Sequence, residues 1–222
     1  MARIPRKQIL QDQSYFHVTW KCHNDSFLLQ DDQAKTFLYD LILRYKTKYR
    51  IKIYGYCFMD NHPHIVGYCE TVEEFSRFFQ VVNGTLARFI NQELGRRGQV
   101  IMDRLRSPRI QNERHMMHVL HYVDLNPVRA GICNQASKYR WSSYRSRAYG
   151  AKDPILDPLP LSDRIDQVHY QKQSQYILTR GNSTSPIYQN VYFIGTPQWV
   201  RHKRRELYQQ FLKTRMPKVK SV

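Results

Sequence analysis

The sequence predicts an α+β fold in which helices alternate with the strands of an antiparallel sheet. Short segments rich in β-branched and aromatic residues favour strands, and longer segments with apolar residues at helical spacing favour helices. The two kinds of segment follow each other along the first 150 residues. At 222 residues, 41% of them hydrophobic, the chain is long enough for one complete core and an appendage.

The first four predicted elements are a strand, a helix and a hairpin. Residues 15–21 alternate in polarity as a strand does, and residues 32–45 place apolar side chains at helical spacing behind an aspartate that can cap the helix. Residues 51–59, rich in Ile, Tyr and Phe, predict a second strand. Asp60 and Asn61 supply a turn, after which residues 62–68 return as the hairpin partner.

The next elements complete a recognisable order. Residues 71–74 (TVEE) fit a capping box and open a long amphipathic helix, which a basic turn at residues 95–98 follows. Residues 99–110 are expected to hold a fourth strand, and a further helix starts at Glu113 and ends at Pro127. This is the ferredoxin-like split βαβ order with one additional helix. Two helices would cover one sheet face, and the additional helix would cover the other.

The chain changes character after residue 150. Residues 150–162 are punctuated by prolines and predict a linker, and a helix is expected near residues 198–214. The final segment is rich in Lys and Arg. We therefore divide the chain into a domain over residues 8–150 and a linker with a basic, helical C-terminal extension over residues 151–222.

The charge of the chain indicates a polyanionic partner. Thirty-five Lys and Arg against 18 Asp and Glu give a net charge of +17, which favours nucleic acid. Sixteen Tyr and ten Phe offer flat rings on which unpaired bases can stack, which favours single strands or hairpin ends.

No segment resembles a signal peptide or a membrane span. The four cysteines form no CxxC pair, so that neither a zinc ribbon nor a disulfide framework is expected. We expect a reduced, cytoplasmic protein without a membrane partner.

Two motifs carry the chemistry. In a strand, His62 and His64 of the sequence HPH project from the same face and can hold one metal ion. In a helix, Tyr122 and Asn126 share a face. A nucleophile beside a two-histidine metal site is a minimal phosphoryl-transfer centre. Alternatively, Tyr122 is a tyrosine at the edge of the core with a bonded hydroxyl, and Asn126 only caps or turns the chain.

Four segments together resemble a known family. In order and spacing, MDNHPHIV, RGQVIMDRLRS, HYVDLNPVRAGIC and WSSY are similar to landmarks of the REP-associated tyrosine transposases. These are single-tyrosine HUH transposases of bacterial insertion sequences, and the resemblance covers about residues 8–150. It implies an HUH endonuclease fold of ferredoxin-like type that acts on single-stranded DNA beside hairpins such as REP hairpins.

The resemblance also implies roles for individual residues. His62, His64 and Asn126 would bind a divalent ion, Mg²⁺ or Mn²⁺, and Tyr122 would attack the DNA and form a 5′-phosphotyrosine. The chain departs from the family pattern in having Pro63 between the histidines and Asp124 where a second histidine is frequent on the tyrosine helix. Asp124 lies well round the helix from Tyr122, so that we do not expect it to be a ligand. His121, on the same helix, is expected to lie at the surface or to face DNA.

Several alternatives stay open. The chain could be a decayed or domesticated copy that binds nucleic acid without cleaving it, an RRM-like binding module, or a replication or conjugation nickase that shares the HUH site. We expect a monomer or a homodimer, with the monomer favoured. The residues expected to contact DNA are Arg96, Arg97, Arg104, Arg106, Arg129, Lys203, Arg204 and Arg205.

Overall fold

The structure, a computed structural model, describes residues 4–160, 166–179 and 191–215, with side chains as far as residue 210. The strands are β1 (Ser14–Thr19), β2 (Ile51–Phe58), β3 (Pro63–Cys69), β4 (Arg109–Ile110) and β5 (Phe193–Ile194). The helices are α1 (Arg6–Ile9), α2 (Asp32–Lys46), α3 (Val72–Glu93), α4 (Glu113–Asp124), α5 (Asn126–Arg129), α6 (Tyr144–Tyr149), α7 (Gln167–Thr179) and α8 (Pro197–Arg215). Short 3₁₀ helices occur at His23–Asp25 and Ala136–Lys138.

The described part of the sheet has five strands in the order β2-β3-β1-β4-β5. The first four pair antiparallel, in the split βαβ arrangement that the sequence predicts. The fifth strand pairs parallel to β4 and comes from the C-terminal extension. The core sheet is therefore antiparallel, as predicted. The sequence analysis did not predict β5, which is too short to show a two-residue alternation.

Side-chain caps define the beginnings of the three long helices of the core. The Asp31 carboxylate accepts a hydrogen bond from the Gln33 amide at 2.9 Å, at the start of α2. The Thr71 hydroxyl accepts one from the Glu74 amide at 3.1 Å, as the predicted capping box requires at the start of α3. Asn112 caps α4 in the same way.

The helices cover both faces of the sheet. α2 and α3 pack together on one face, where Phe16 of β1 meets Phe75 with ring centroids 4.9 Å apart. α4 packs on the other face, as predicted. Gly55 of β2 allows this close approach, because a Cβ atom there would collide with the Leu120 side chain.

The predicted tyrosine helix is interrupted. α4 ends at Asp124, and α5 begins after Leu125 with Pro127 in its first turn, where the missing amide hydrogen costs nothing. The expectation of an unbroken helix as far as Pro127 was therefore wrong. Tyr122 lies on α4 and Asn126 lies on α5. The argument that the two side chains share one helical face therefore no longer applies.

Several contacts join the first 150 residues to the later part of the chain. Ile155 is fully buried, and the Asp157 carboxylate accepts from the Ile53 amide at 2.8 Å and from Lys46 at 3.0 Å. Tyr170 of α7 is buried as well. Residues 151–160 therefore pack on the core, which corrects the expectation of a linker there. Residues 161 and 162 of that predicted linker lie outside the described residues.

Candidate active site

A pocket of about 280 Å³ lies between the sheet and α4. Three residues predicted to carry chemistry line it: His62, His64 and Tyr122. Arg104 and Arg106, both predicted DNA contacts, line it too. We call it the histidine pocket. The structure thus brings together residues that are 60 positions apart in the sequence.

The start of β3 places the two histidines. Pro63 is the first residue of the strand and pairs with Phe58, while His64 lies opposite Thr19 of β1. Proline is tolerated at the first residue of a strand, because few ladder hydrogen bonds depend on it there. The substitution between the histidines therefore leaves the strand that carries them intact.

One nitrogen of each imidazole is held by a neighbour. His64 Nδ1 lies 2.9 Å from His17 Nε2, and His62 Nδ1 lies 2.5 Å from the Asn61 side-chain oxygen. Among the described residues, His64 Nε2 is buried without a hydrogen-bond partner. Metal-binding histidines commonly ligate through one nitrogen while a hydrogen bond fixes the other. In this one respect both imidazoles resemble metal-binding histidines.

Burial keeps the three imidazoles neutral. It lowers the pKa of His62 to about 4, with a further contribution from the charge of Lys21, and that of His17 to about 3. It also holds the pKa of His64 well below its usual value. Because neutral imidazole is the form that binds metal, no proton has to be displaced from these side chains at neutral pH.

A divalent cation held by His62 and His64 would have to take its remaining ligands from water or substrate oxygens. In the described part of the chain, no group of three or more His, Cys, Asp or Glu side chains could hold a metal ion. Mg²⁺ tolerates such a site, since it retains several waters and binds substrate phosphates. Asn126 is absent from the described lining of the pocket. Its role as a ligand stays a prediction.

Tyr122 lies against the histidines and beneath an arginine. Its ring centroid is 5.7 Å from that of His64 and 6.1 Å from that of His17, and only 4% of the residue is exposed. The Arg129 guanidinium lies 5.4 Å above the phenol ring and donates to the Tyr122 carbonyl at 3.2 Å. Arg129, predicted only as a DNA contact, is thus a direct neighbour of the candidate nucleophile.

The remaining predicted DNA contacts lie outside the pocket. Arg96 and Arg97 are in the turn after α3, where Arg96 donates to the Gln99 carbonyl at 3.0 Å. Arg204 and Arg205 are exposed on α8. Lys203 pairs with Glu206 at 2.7 Å, and this bond lowers the pKa of Glu206.

Sequence reasoning missed a second polar group behind α4. Asp124, which we do not expect to be a ligand, is fully buried, and its carboxylate accepts hydrogen bonds from Arg147, Ser143 and Tyr170. His121, predicted to be at the surface or facing DNA, is buried and stacks on Tyr170 with ring centroids 4.0 Å apart. That surface expectation was wrong.

Sequence reasoning also missed His17. A single histidine in a strand has no spacing that would mark it, and only the pairing of β1 with β3 brings it to His64.

None of the helices within the described residues combines the length and the apolar character needed to cross a membrane. All four cysteines, Cys22, Cys57, Cys69 and Cys133, are free thiols.

Comparison with known proteins agrees with this architecture. Residues 10–105 match the model of the family described as "Transposase IS200 like". A solved structure of a REP-associated tyrosine transposase bound to a REP hairpin is similar, with a TM-score of 0.55 and 19% sequence identity. The match covers 71% of this chain and 92% of that one. No curated protein matches the chain. The resemblance that the motifs indicated is therefore confirmed: the chain has the fold of a REP-associated tyrosine transposase, and its residues 10–105 are similar to IS200-like transposases.

Proposed function

We propose that the protein is a metal-dependent single-strand DNA endonuclease and strand transferase that recognises hairpin DNA and cleaves through a 5′-phosphotyrosine. One observation carries the proposal: Tyr122, His62 and His64 line the same pocket as two exposed arginines. The similar solved protein is bound to a REP hairpin, which supports hairpin DNA as the substrate class.

Tyr122 is the nucleophile of the proposed reaction. Its phenolic oxygen loses its proton to water and bonds to the scissile phosphorus, the bond from phosphorus to the 3′ oxygen breaks, and that oxygen takes up a proton. The Arg129 guanidinium above the ring stabilises negative charge on the phenol. The phosphotyrosine link conserves the free energy of the phosphodiester bond that was broken. The 3′-hydroxyl of a second strand can therefore displace Tyr122 and join the strands.

His62 and His64 are the proposed ligands of Mg²⁺ or Mn²⁺, and Asn126 is the proposed third ligand. When bound there, the ion would supply Lewis-acid polarisation of the scissile phosphate. His62 and His64 each offer Nε2, because their Nδ1 atoms are engaged by Asn61 and His17. Asn126 has the weaker support of the three, as it lies on α5.

Positive charge guides the DNA in this proposal. The net charge of +17 attracts the backbone, and Arg104 and Arg106 place two guanidinium groups at the pocket itself. Arg96 and Arg97 after α3, and the basic face of α8, extend this charge over the surface. These phosphate contacts set affinity, whereas they do not select the base sequence.

An adduct assay tests the nucleophile. A pool of single-stranded hairpins with randomised flanks is labelled at the 3′ end and incubated with the protein and Mn²⁺. We expect a labelled covalent adduct on a denaturing gel for the wild type and for Tyr149→Phe, an exposed tyrosine, but none for Tyr122→Phe. Hairpin binding should be nearly unchanged in Tyr122→Phe, since one hydroxyl is lost and no basic group changes. An adduct formed by Tyr122→Phe contradicts the assignment.

A binding protein that has lost catalysis is the second candidate. The burial of Tyr122 favours it, because a nucleophile must reach the phosphate. In that case the wild type binds the hairpin pool and forms no adduct in Mg²⁺ or Mn²⁺.

A further inference from the structure

We propose that His17 is a positioning residue of the metal site: its Nε2 accepts a hydrogen bond from His64 Nδ1–H and thereby directs the His64 Nε2 lone pair into the histidine pocket. The inference rests on the proposed function, because it concerns the ion that cleavage needs.

The sheet register brings the two rings together. β1 and β3 pair antiparallel, with His17 opposite Val66 and His64 opposite Thr19, so that both histidines lie on the same face at diagonal positions. Their rings stack, with centroids 5.1 Å apart and planes inclined by 15°, and the two nitrogens are 2.9 Å apart. This is a well-formed hydrogen bond.

Burial makes this hydrogen bond decisive for the orientation of His64. Only 1% of His17 and 4% of His64 are exposed, so that water does not compete for the two bonded nitrogens. Within the described residues, the outer nitrogens, His17 Nδ1 and His64 Nε2, have no hydrogen-bond partner. The pair is therefore held by a single shared proton and by packing.

Two tautomeric arrangements are compatible with the geometry. If His64 Nδ1 carries the shared proton, its Nε2 is a lone pair and His17 Nδ1–H is the unpaired donor. If His17 Nε2 carries it, His64 Nε2–H is the unpaired donor and cannot bind a cation. A cation in the pocket selects the first arrangement, and His17 makes that arrangement possible by offering the acceptor.

Two replacements of His17 separate the effect of its hydrogen bond to His64 from the effect of its packing. Glutamine and methionine have similar length and shape, but only glutamine offers an oxygen acceptor to His64 Nδ1–H. In His17→Met, a proton on His64 Nδ1 has no oxygen or nitrogen acceptor, so that the tautomer with the proton on Nε2, next to the open pocket, is favoured. A proton on Nε2 prevents that nitrogen from binding a cation. His118→Met is the matched control, because His118 is an exposed histidine of α4.

Mn²⁺ titration of the full-length variants, followed by the EPR signal of the unbound ion, tests the proposal without any reaction. We expect His17→Met to weaken Mn²⁺ binding about 10- to 100-fold, the usual effect of removing a partner of a metal-binding histidine. His17→Gln and His118→Met should retain the wild-type affinity to within about threefold, as the acceptor or the whole site is preserved in them. Equal affinity in His17→Met and the wild type overturns the inference and leaves the proposed function standing.

Two further measurements cover the remaining outcomes. If the wild type binds no Mn²⁺, with or without hairpin DNA, the metal requirement of the proposed function is wrong and the role of His17 is wrong with it. If His17→Met does not fold, NMR correlation spectra of the imidazole nitrogens in the Mg²⁺-saturated wild type decide the question. A proton on His64 Nδ1 supports the proposal, and a proton on Nε2 overturns it.

Discussion

Two buried polar groups flank α4, and they differ in how completely their hydrogen bonds are satisfied. Behind the helix, Arg147 contacts the Asp124 carboxylate at 2.7 Å and the Tyr54 carbonyl at 2.6 Å, and the Tyr170 hydroxyl donates to Asp124 at 2.7 Å. We call this group the arginine cluster. In the histidine pocket, among the described residues, His17 Nδ1 and His64 Nε2 lack partners.

The difference separates a structural group from a binding group. A fully satisfied buried network holds elements together, and each unsatisfied buried atom needs a reason. The arginine cluster joins α4 to β2, α6 and α7, and it fixes the helix that carries Tyr122. The histidine pocket leaves two ring nitrogens without partners among the described residues, and one of them, His64 Nε2, is the atom that we propose binds the ion.

The largest expected effect is the loss of cleavage when the histidine pocket is changed. His62→Ala and His64→Ala should each abolish metal-dependent adduct formation, because each removes one of two imidazole ligands. EDTA should have the same effect on the wild type, and Mn²⁺ should restore activity there but not in the double variant. His118→Ala is the matched surface control. Full cleavage in excess EDTA would show that the reaction needs no metal.

The next largest effect is a loss of protein stability when the arginine cluster is changed. Arg147→Met leaves the fully buried Asp124 carboxylate without its cation, and we expect the free energy of unfolding to fall by about 3–5 kcal/mol. Urea unfolding measures this loss. Arg145→Met, on the exposed side of α6, should change stability by less than about 0.5 kcal/mol. A loss below about 1 kcal/mol in Arg147→Met contradicts the structural role assigned to the cluster.

A smaller effect should appear in the pH dependence of stability. Burial lowers the pKa of His121 to about 4, so that between pH 6.5 and 4 the unfolded chain binds more protons than the folded one. The contribution of His121 is complete above pH 6.5 and is lost as the pH falls. Between pH 6.5 and 5, a range of about 1.5 pH units, this amounts to about 2 kcal/mol at about 1.4 kcal/mol per pH unit. His121→Asn should lose correspondingly less stability over that range in urea titrations, whereas His118→Asn should follow the wild type.

The smallest effect should come from α8, for which we propose an accessory role in DNA binding. Replacement of Arg204 and Arg205 by Gln removes two exposed charges and leaves the packed face of the helix intact. We expect the slope of log K against log salt for hairpin binding to fall by about 0.7 for each single-strand phosphate that the protein no longer neutralises, or about 1.4 for two. Adduct formation at saturating protein should persist. An unchanged slope means that this helix face does not touch DNA.

The sequence predicted those parts of the molecule that have a local signal. Helices α2 and α3, the hairpin of β2 and β3, and the placement of α4 on the opposite sheet face follow from periodicity and capping residues. The two histidines and Tyr122 could be found because the spacing of HPH and the tyrosine segment is characteristic. The structure brings these three residues into one pocket.

The remaining features depend on tertiary packing that leaves no local pattern. Asp124 and Arg147 are 23 residues apart, and neither sits in a motif that predicts a buried pair. His17 becomes a partner of His64 only through strand register. The break at Leu125 removes Asn126 from the helix of Tyr122, although the sequence reads as one helical segment. β5 consists of two residues, too few for any periodicity.

The missing side chain of Gly55 sets the depth of the active site. α4 rests on β2 where the Leu120 side chain occupies the space that a Cβ atom on Gly55 would need. Tyr122 is two residues farther along the same helix. We therefore expect bulk added at Gly55 to shift the tyrosine relative to the histidines while every side chain of the histidine pocket is preserved. The distance between Tyr122 and the histidines is thus an adjustable dimension, and graded replacement of Gly55 by Ala, Ser and Val should change it from a strand that contributes no residue to the described lining of the histidine pocket.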